Sequence, residues 1–442
     1  MAAAWLCWPL QAQAENAALT QEEAVELALA RHPSLAAARH AQAGAAARRE
    51  QAQAAYRPRL GLEGNYRYAG PVPTLVMETG IKPPGAAEPL VIRREVGVLN
   101  SASALAKAGV RVWDFGARAG RVEGAEEQVN AGRYEQAERA ADVALAVRQA
   151  YIQAAFMVEA EALTARALVA ASDDLREQTL RKSSGLGDDL GIAAVDARLG
   201  ELEARRVDLH ERGEQARESL RLLLGLPEGQ TLQLRETMGE LSRPSDSPAQ
   251  LEHLEHPALQ RLGALERGVQ AQAQSLTRQG LPALDLYGQA GWQYPKSLFE
   301  TDSSGIVYAV GAVLSWDVYD AGVRGLQHRE LEAKAAELRA LQAAAGEDLT
   351  RRTTDARSRL RASAGTLQAA EHALSAAEVY ARVARSALAA GTGTALDVRR
   401  ADDGVDRARL AALQARLDAA VARAALWHAQ GLAAQNSKGE AK

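Results

Sequence analysis

His253 and His256 stand three residues apart, a spacing at which two imidazoles on one helix face can hold a metal ion. Pro257 directly follows, and a His-Pro step that ends a short helix accounts for the same residues, as His32-Pro33 does earlier in the chain. The eight histidines are otherwise scattered, and no HExxH, phosphate-binding Walker loop or GxSxG motif occurs. Asp397 and Arg400, three apart, can form an ion pair worth a few tenths of a kcal/mol, roughly, at a surface. No serine, histidine and carboxylate group together as a triad would. The residues therefore point to no enzyme, no cofactor and no metal site.

The one cysteine, Cys7, lies in a short apolar run from Ala2 to Leu10. Ala12-Gln13-Ala14 after it offers a small-x-small cleavage site, so residues 1–14 read as a secretory signal. The run has no basic residue before it, which leaves room for a natural start upstream of Met1. Ala4-Trp5-Leu6 lacks the small residues that precede a lipidated cysteine. With that segment removed, thiol and disulfide chemistry are excluded.

The elements that position these residues are set by composition. Aromatics make up 4% of the chain, while alanine, leucine, arginine and glutamate dominate, the balance of long helices. A net charge of −4 provides no basic field for nucleic acid. After the signal, no apolar run reaches the 18 or so residues of a transmembrane helix.

The chain contains itself twice. His32-Pro33-Ser34-Leu35 recurs as His256-Pro257-Ala258-Leu259, a shift of 224 that also maps Pro58, Leu60, Leu62 and Gly64 onto Pro282, Leu284, Leu286 and Gly288. Asp114, Gly116 and Arg118 recur as Asp320, Gly322 and Arg324, a shift of 206 that persists to Gly225-Leu226 and Gly431-Leu432. A constant shift over such a length indicates internal duplication. The expected organisation is a first repeat over 15–226, a linker over 227–250, a second repeat over 251–432 and a disordered tail over 433–442.

All fourteen prolines lie between Pro9 and Pro89 or between Pro227 and Pro295. Proline costs about 3 kcal/mol inside a helix, so the proline-free tracts are where long helices can run. From about Ala117 to Ser183, and from about Val323 to Ala390, nothing but tolerated glycines such as Gly124 and Gly132 interrupts the pattern. Some 65 residues at 1.5 Å each give a rod on the order of 100 Å. Each rod ends at a glycine turn, Gly185-Leu186-Gly187 or Gly391-Thr392-Gly393, and a second helix follows, with Asp188 or Thr394 near its start as a cap. The long helices are expected over about 117–225 and 322–431. In the last helix Val405, Ala408, Ala412, Ala415, Ala419, Ala422 and Leu426 form one small-residue seam, and Leu410, Leu413, Leu417, Ala420, Ala424 and Trp427 form another. Two seams imply neighbours on both sides, as in a wall of helices; a solvated hairpin needs one.

Before each rod lies a stretch of period two. Leu60, Leu62, Gly64, Tyr66 and Tyr68 interleave with Arg59, Glu63, Asn65 and Arg67; Leu284, Leu286, Gly288, Ala290, Trp292 and Tyr294 interleave with Asp285, Gln289 and Gln293. Partner strands are expected from about Ala104 to Trp113 and from Val307 to Val318, giving hairpins at about 57–113 and 282–318. Strands of about ten residues with one apolar face fit an outer-membrane barrel, and Tyr66, Tyr68, Trp292, Tyr294 and Trp316 near strand ends fit its interfacial belt. Four strands fall short of the minimum of about eight, so copies must share a barrel, and three copies supply twelve. Residues 69–103, rich in proline and glycine, read as an exposed loop.

These residues resemble the outer-membrane efflux protein family, the TolC-like export channels. The resemblance rests on Leu19-Thr20-x-x-Glu23-Ala24 with His32-Pro33, on Tyr56-x-Pro58-x-Leu60, on the joints Trp113-Asp114-Phe115-Gly116 and Tyr319-Asp320-Ala321-Gly322, and on Gly391-Thr392-Gly393-Thr394-Ala395-Leu396-Asp397-Val398. It implies a mainly α fold with a small β part: a homotrimer with a twelve-stranded barrel in the outer-membrane lipid, continued by an α-helical barrel in the periplasm. It further implies a periplasmic membrane-fusion adaptor and an inner-membrane transporter as partners, in efflux or type I secretion. The adaptor would touch the helix tips, here Ser184, Gly185 and Leu186 and Gly391 and Thr392. The family's gate is commonly ringed by aspartates; Asp397 matches one position, but Arg400 stands at the next. Two other readings are a periplasmic adaptor, which would carry one hairpin between β modules, and a structural coiled-coil protein of the envelope, which would not need the strand pairs.

Overall fold

Thr20 and Glu23 begin the first helix by bonding each other's backbone. The Glu23 N–H donates to Thr20 Oγ1 at 3.3 Å and the Thr20 N–H to Glu23 Oε2 at 2.8 Å. The computed structural model describes residues 18–85, 88–95, 98–185, 189–228, 232–243, 256–297 and 303–431. The signal segment, Cys7, Leu186, Gly187, Asp188, His253, Leu432 and the tail lie outside the described residues, as does most of the linker. The elements are β1 (Ala18–Leu19), α1 (Gln21–Arg31), α2 (Pro33–Ala54), β2 (Arg59–Tyr68), β3 (Thr74–Glu78), β4 (Val91–Glu95), β5 (Asn100–Trp113), α3 (Ala117–Ser183) and α4 (Asp189–Leu223). They continue with β6 (Gln233–Leu234), α5 (Met238–Leu241), α6 (Pro257–Arg278), β7 (Ala283–Tyr294), β8 (Gly305–Ser315), α7 (Val323–Ala389) and α8 (Ala395–Ala429). Among the described residues no helix is long and apolar enough to cross a membrane.

The chain forms two units, one of Met1–Gln42, Ala131–Leu262 and Ala340–Lys442, the other of Ala43–Asn130 and Gly263–Arg339. The first unit is helical. Its core joins Ala24, Val25 and Ala28 of α1 with Val147, Tyr151 and Ile152 of α3, Leu220 of α4 and Leu413, Leu417 and Ala420 of α8. Arg148 crosses this core almost fully buried. Its Nη2 reaches both carboxylate oxygens of Glu22 at 2.9 Å, and its guanidinium lies 5.0 Å from the centre of the Trp427 ring. Tyr151 donates to the Leu19 carbonyl at 2.8 Å, and burial pushes its hydroxyl up to about 12.

The two seams of α8 are both covered, by different helices. Val405 packs with Ala381 and Ala384 of α7, and Leu426 with Ala356 and Leu360 of α7. Leu413, Leu417, Ala420 and Ala424 face the core with α1 and α3.

The second unit is built on an antiparallel sheet in the order β2-β5-β7-β8, so among the described residues β2 and β8 are free edges. β8 ends at Ser315, three residues short of the expected Val318. Trp316 and Asp317 leave the ladder because Trp316 Nε1 donates to the Gly280 carbonyl at 3.1 Å and the Asp317 carbonyl accepts from Arg324 at 2.7 Å. β5 begins at Asn100, four residues earlier than expected, since the hairpin register continues to Tyr68 opposite Asn100. The segment expected to be loop also holds a ribbon, β3 paired with β4, whose Val76, Met77 and Ile92 are exposed.

Candidate functional site

Each hairpin turns into its long helix through the same corner. Phe115 and Ala321 take left-handed backbone (φ 51° and 56°), followed by Gly116 and Gly322 (φ 84° and 82°). Asp114 then caps the helix, its Oδ1 accepting from the Gly116 N–H and its Oδ2 from the Arg118 N–H, while Arg118 Nε donates to the same Oδ2 at 2.8 Å. Arg118 Nη1 also donates to the carbonyls of Ala55 and Arg111. Asp320 and Arg324 repeat this, with Arg324 donating to the carbonyls of Gln279 and Asp317. The corners differ in cover. Arg118 and Asp114 are buried under Tyr56, whose ring centre is 4.4 Å from the guanidinium; Gly280 takes the corresponding place near Arg324, which stays part-exposed.

The sheet presents two unlike faces. Leu60, Leu62, Ile306, Tyr308, Val310 and Leu314 are exposed on one, with Val310 86% open. The other carries Glu63, Lys107, Arg111 and Asp285, joined as Lys107–Glu63 at 2.6 Å and Arg111–Asp285 at 2.9 Å. Tyr66, Tyr68, Trp292 and Tyr294 gather at the loop end, where Ala104 pairs with Trp292 and Ala102 with both Tyr66 and Tyr294. Trp316 lies one residue past β8 at the helix end, and there Trp113 and Phe115 meet edge-to-face at 5.8 Å. The sequence places Trp113 and Phe115 at the strand-to-helix joint without assigning them to an aromatic row, and does not single out Tyr308, the fourth residue of β8.

The helix tips belong to the first unit. Ser184 and Gly185 (φ 77°) form an exposed turn after α3, and Gly391 (φ 76°) and Thr392 one after α7, where Thr392 N–H donates to the Ala387 carbonyl at 2.9 Å. Asp397 is engaged by its own helix start. Its Oδ2 accepts from Thr394 Oγ1 at 2.5 Å and from the Thr394 N–H at 3.1 Å, and these bonds hold its carboxyl below the ordinary aspartate range. Arg400 is exposed, and no ion pair joins it to Asp397, because the carboxylate turns back to Thr394.

The ion pairs between helices lie farther along α8. Arg198 of α4 bridges to Asp403 and, at 3.2 Å, to Asp406. Arg385 of α7 meets Asp402 at 2.5 Å, and Arg409 meets Glu378 of α7 at 3.4 Å. Burial pushes the Asp406 carboxyl up, against the pull of Arg198 and Arg409. A cavity of about 500 Å³ opens here between Leu163, Arg166, Arg198 and Asp406. Nearby, the buried Nε of Arg399 has no hydrogen-bond partner among the described residues. Sequence spacing could not find this network, since Arg198 and Asp406 are 208 residues apart.

Residues 24–226 and 249–432 match the family model described as outer membrane efflux protein. The chain belongs to that family. Its place is accordingly the bacterial outer membrane, with a large periplasmic helical part. No curated protein matches the chain. Among solved structures, the outer membrane protein VceC of Vibrio cholerae is 20% identical, with a TM-score of 0.72 over 93% of this chain and 96% of that one. CusC is 16% identical, with a TM-score of 0.74 over 93% and 91%. The MtrE outer membrane channel of Neisseria gonorrhoeae is 17% identical, with a TM-score of 0.73 over 94% and 89%. Identities this low carry the fold. Among the described residues no three histidine, cysteine or acidic side chains group as metal ligands would.

Proposed function

We propose that three copies of the chain close one twelve-stranded barrel in the outer membrane and one helical tunnel beneath it, forming the exit duct of a tripartite efflux or type I secretion system. The observation that carries this is the four-stranded sheet with an apolar face and two open edges. Each unpaired backbone group in hydrocarbon costs several kcal/mol, roughly, so such a sheet enters a bilayer only when its edges are closed by other copies. The apolar face then meets lipid, the charged face lines the lumen, and the aromatic rows sit at the two interfaces. Tyr66, Tyr68, Trp292 and Tyr294 form one row; Trp316 lies in the other.

The tips at Ser184 and Gly185 and at Gly391 and Thr392 are the surfaces for a periplasmic adaptor, which links the duct to an inner-membrane transporter. Asp397 and Arg400 border the periplasmic mouth as gate residues, with Asp397 held by Thr394 at the start of α8. That MtrE is described as an outer membrane channel in an open state supports a conducting role for this fold. The test combines fractionation with mass. The protein should pellet with outer membrane, need detergent for release, and then have three times the mass of one chain. Recovery wholly in the soluble periplasmic fraction would refute the channel.

A further inference from the structure

A cavity of about 390 Å³ opens where β2, β5 and β7 approach the start of α3. Five arginines line it, Arg57, Arg59, Arg111, Arg118 and Arg121, against one carboxylate, Asp285. Its floor is open because Gly109 carries no side chain. Gly109 stands in register between Arg59 of β2 and Tyr287 of β7, and a Cβ built there would meet nothing closer than the Leu286 carbonyl at 3.8 Å. Two of the five arginines are engaged within the fold: Arg111 holds Asp285 through two bonds of 2.9 and 3.0 Å, and Arg118 holds Asp114. Arg57, Arg59 and Arg121 are exposed, and among the described residues their guanidinium groups make no hydrogen bond or ion pair. Three positive charges at the cavity are thus left without a neighbouring acid.

The second repeat shows that the corner forms without these three. The shift of 224 maps Arg57 and Arg59 onto Leu281 and Ala283, and the shift of 206 maps Arg121 onto Gln327 and Arg111 onto Asp317. That second corner still makes the same turn, with Ala321 and Gly322 in left-handed backbone and Arg324 bonded to Asp320. Arg118 recurs as Arg324 because it ties the corner to its helix; the exposed arginines occur in the first half only. Guanidinium groups gathered without counter-charges repel one another, and an oxyanion relieves that repulsion. The planar fork of arginine donates two parallel hydrogen bonds to a phosphate or carboxylate, which suits it to that ligand.

Residues directly opposite in the ladder share a face, so Arg59, Gly109 and Tyr287 lie on the charged face of the sheet. We propose that the cavity is an anion-binding site in the wall of the duct, taking small polyvalent oxyanions that carry phosphate or carboxylate groups. Arg57, Arg59 and Arg121 supply the charge, and Gly109 supplies the room. The inference rests on the reading of the charged face as luminal, and adds a chemical class of cargo that the duct would hold in passage.

The test titrates full-length protein in an uncharged detergent with inorganic pyrophosphate, by calorimetry at fixed ionic strength. Arg57→Leu, Arg59→Ala and Arg121→Gln install the residues of the second corner, so each variant should keep the parent's unfolding midpoint. Each should weaken binding about threefold to fivefold, the scale of one exposed charge contact, and the triple variant about thirtyfold. Arg67→Gln, on the same face at the loop end of β2, should leave the affinity unchanged. A parent that binds no pyrophosphate, or a triple variant that binds it as well as the parent, would overturn the site and leave the duct standing. Phosphatidylglycerol added to the micelles should not displace pyrophosphate; displacement would assign the arginines to lipid headgroups and overturn the luminal placement. Protein that binds as expected but is soluble and monomeric would keep the site and overturn the duct.

Discussion

Replacing Arg118 by methionine and, separately, Arg324 by methionine sets the two copies of one corner against each other. Arg118 bonds the Asp114 carboxylate and the carbonyls of Ala55 and Arg111, with only 5% of its side chain exposed, and it lies under Tyr56. Methionine keeps the length and loses every donor. Removing one partner of a buried ion pair costs about 3–5 kcal/mol, because the other charge stays buried, and the lost stacking on Tyr56 adds on the order of 1 kcal/mol. Arg324 makes the same bonds with 22% of its side chain exposed and no ring above it, so water can replace much of what methionine removes. Thermal unfolding of the detergent-solubilised protein, followed by circular dichroism, should show a clearly larger fall in midpoint for Arg118→Met than for Arg324→Met. Tyr56→Phe, which retains the ring, should stay near the parent. Equal losses at the two corners, or a larger one at Arg324, would refute the argument from burial.

The other expectations concern glycines, caps and protons. Gly120→Ala should destabilise by about 1–3 kcal/mol, since its Cβ meets the Ala271 carbonyl, whereas Gly325→Ala, with open space around it, should gain up to about 1 kcal/mol of helix propensity; denaturation midpoints decide. Thr394→Ala should cost about 1 kcal/mol at the start of α8 and return Asp397 to the ordinary carboxylate range, read by hydrogen exchange over 395–398 and by titration. Because Asp397 titrates below the usual range, its capping contribution is complete at neutral pH and is lost only as pH falls through that lowered value. Asp406 titrates above it, so acidification should break the Arg198–Asp406 pair before it unseats the Thr394 cap, although protonation also relieves the cost of burying that carboxylate. Amide exchange near Thr394 that rises at higher pH than exchange near Arg198 would contradict that order. Asp397→Ala in planar bilayers should alter closed-state conductance if this residue lines the gate, and unchanged conductance and selectivity would remove it from that role.

Much of this was legible in the residues themselves. Proline's missing N–H confines it, so proline-free tracts show where α3 and α7 can run, and Gly116, Gly185, Gly322 and Gly391 bracket their ends. Period-two alternation exposed the strands because a pleat turns successive side chains to opposite faces. The two seams of α8 were visible as spacing, and the repeated corners as two Asp-x-Gly-x-Arg strings. Contacts between residues far apart in the chain were not. Nothing local separates Gly120, which must be glycine to pass the Ala271 carbonyl, from Gly325, which faces open space. Nor does spacing announce that Asp397 turns back to Thr394 or that Arg198 reaches Asp406. Such choices depend on which helices lie side by side and how deeply each charge is buried, and tertiary packing alone decides both.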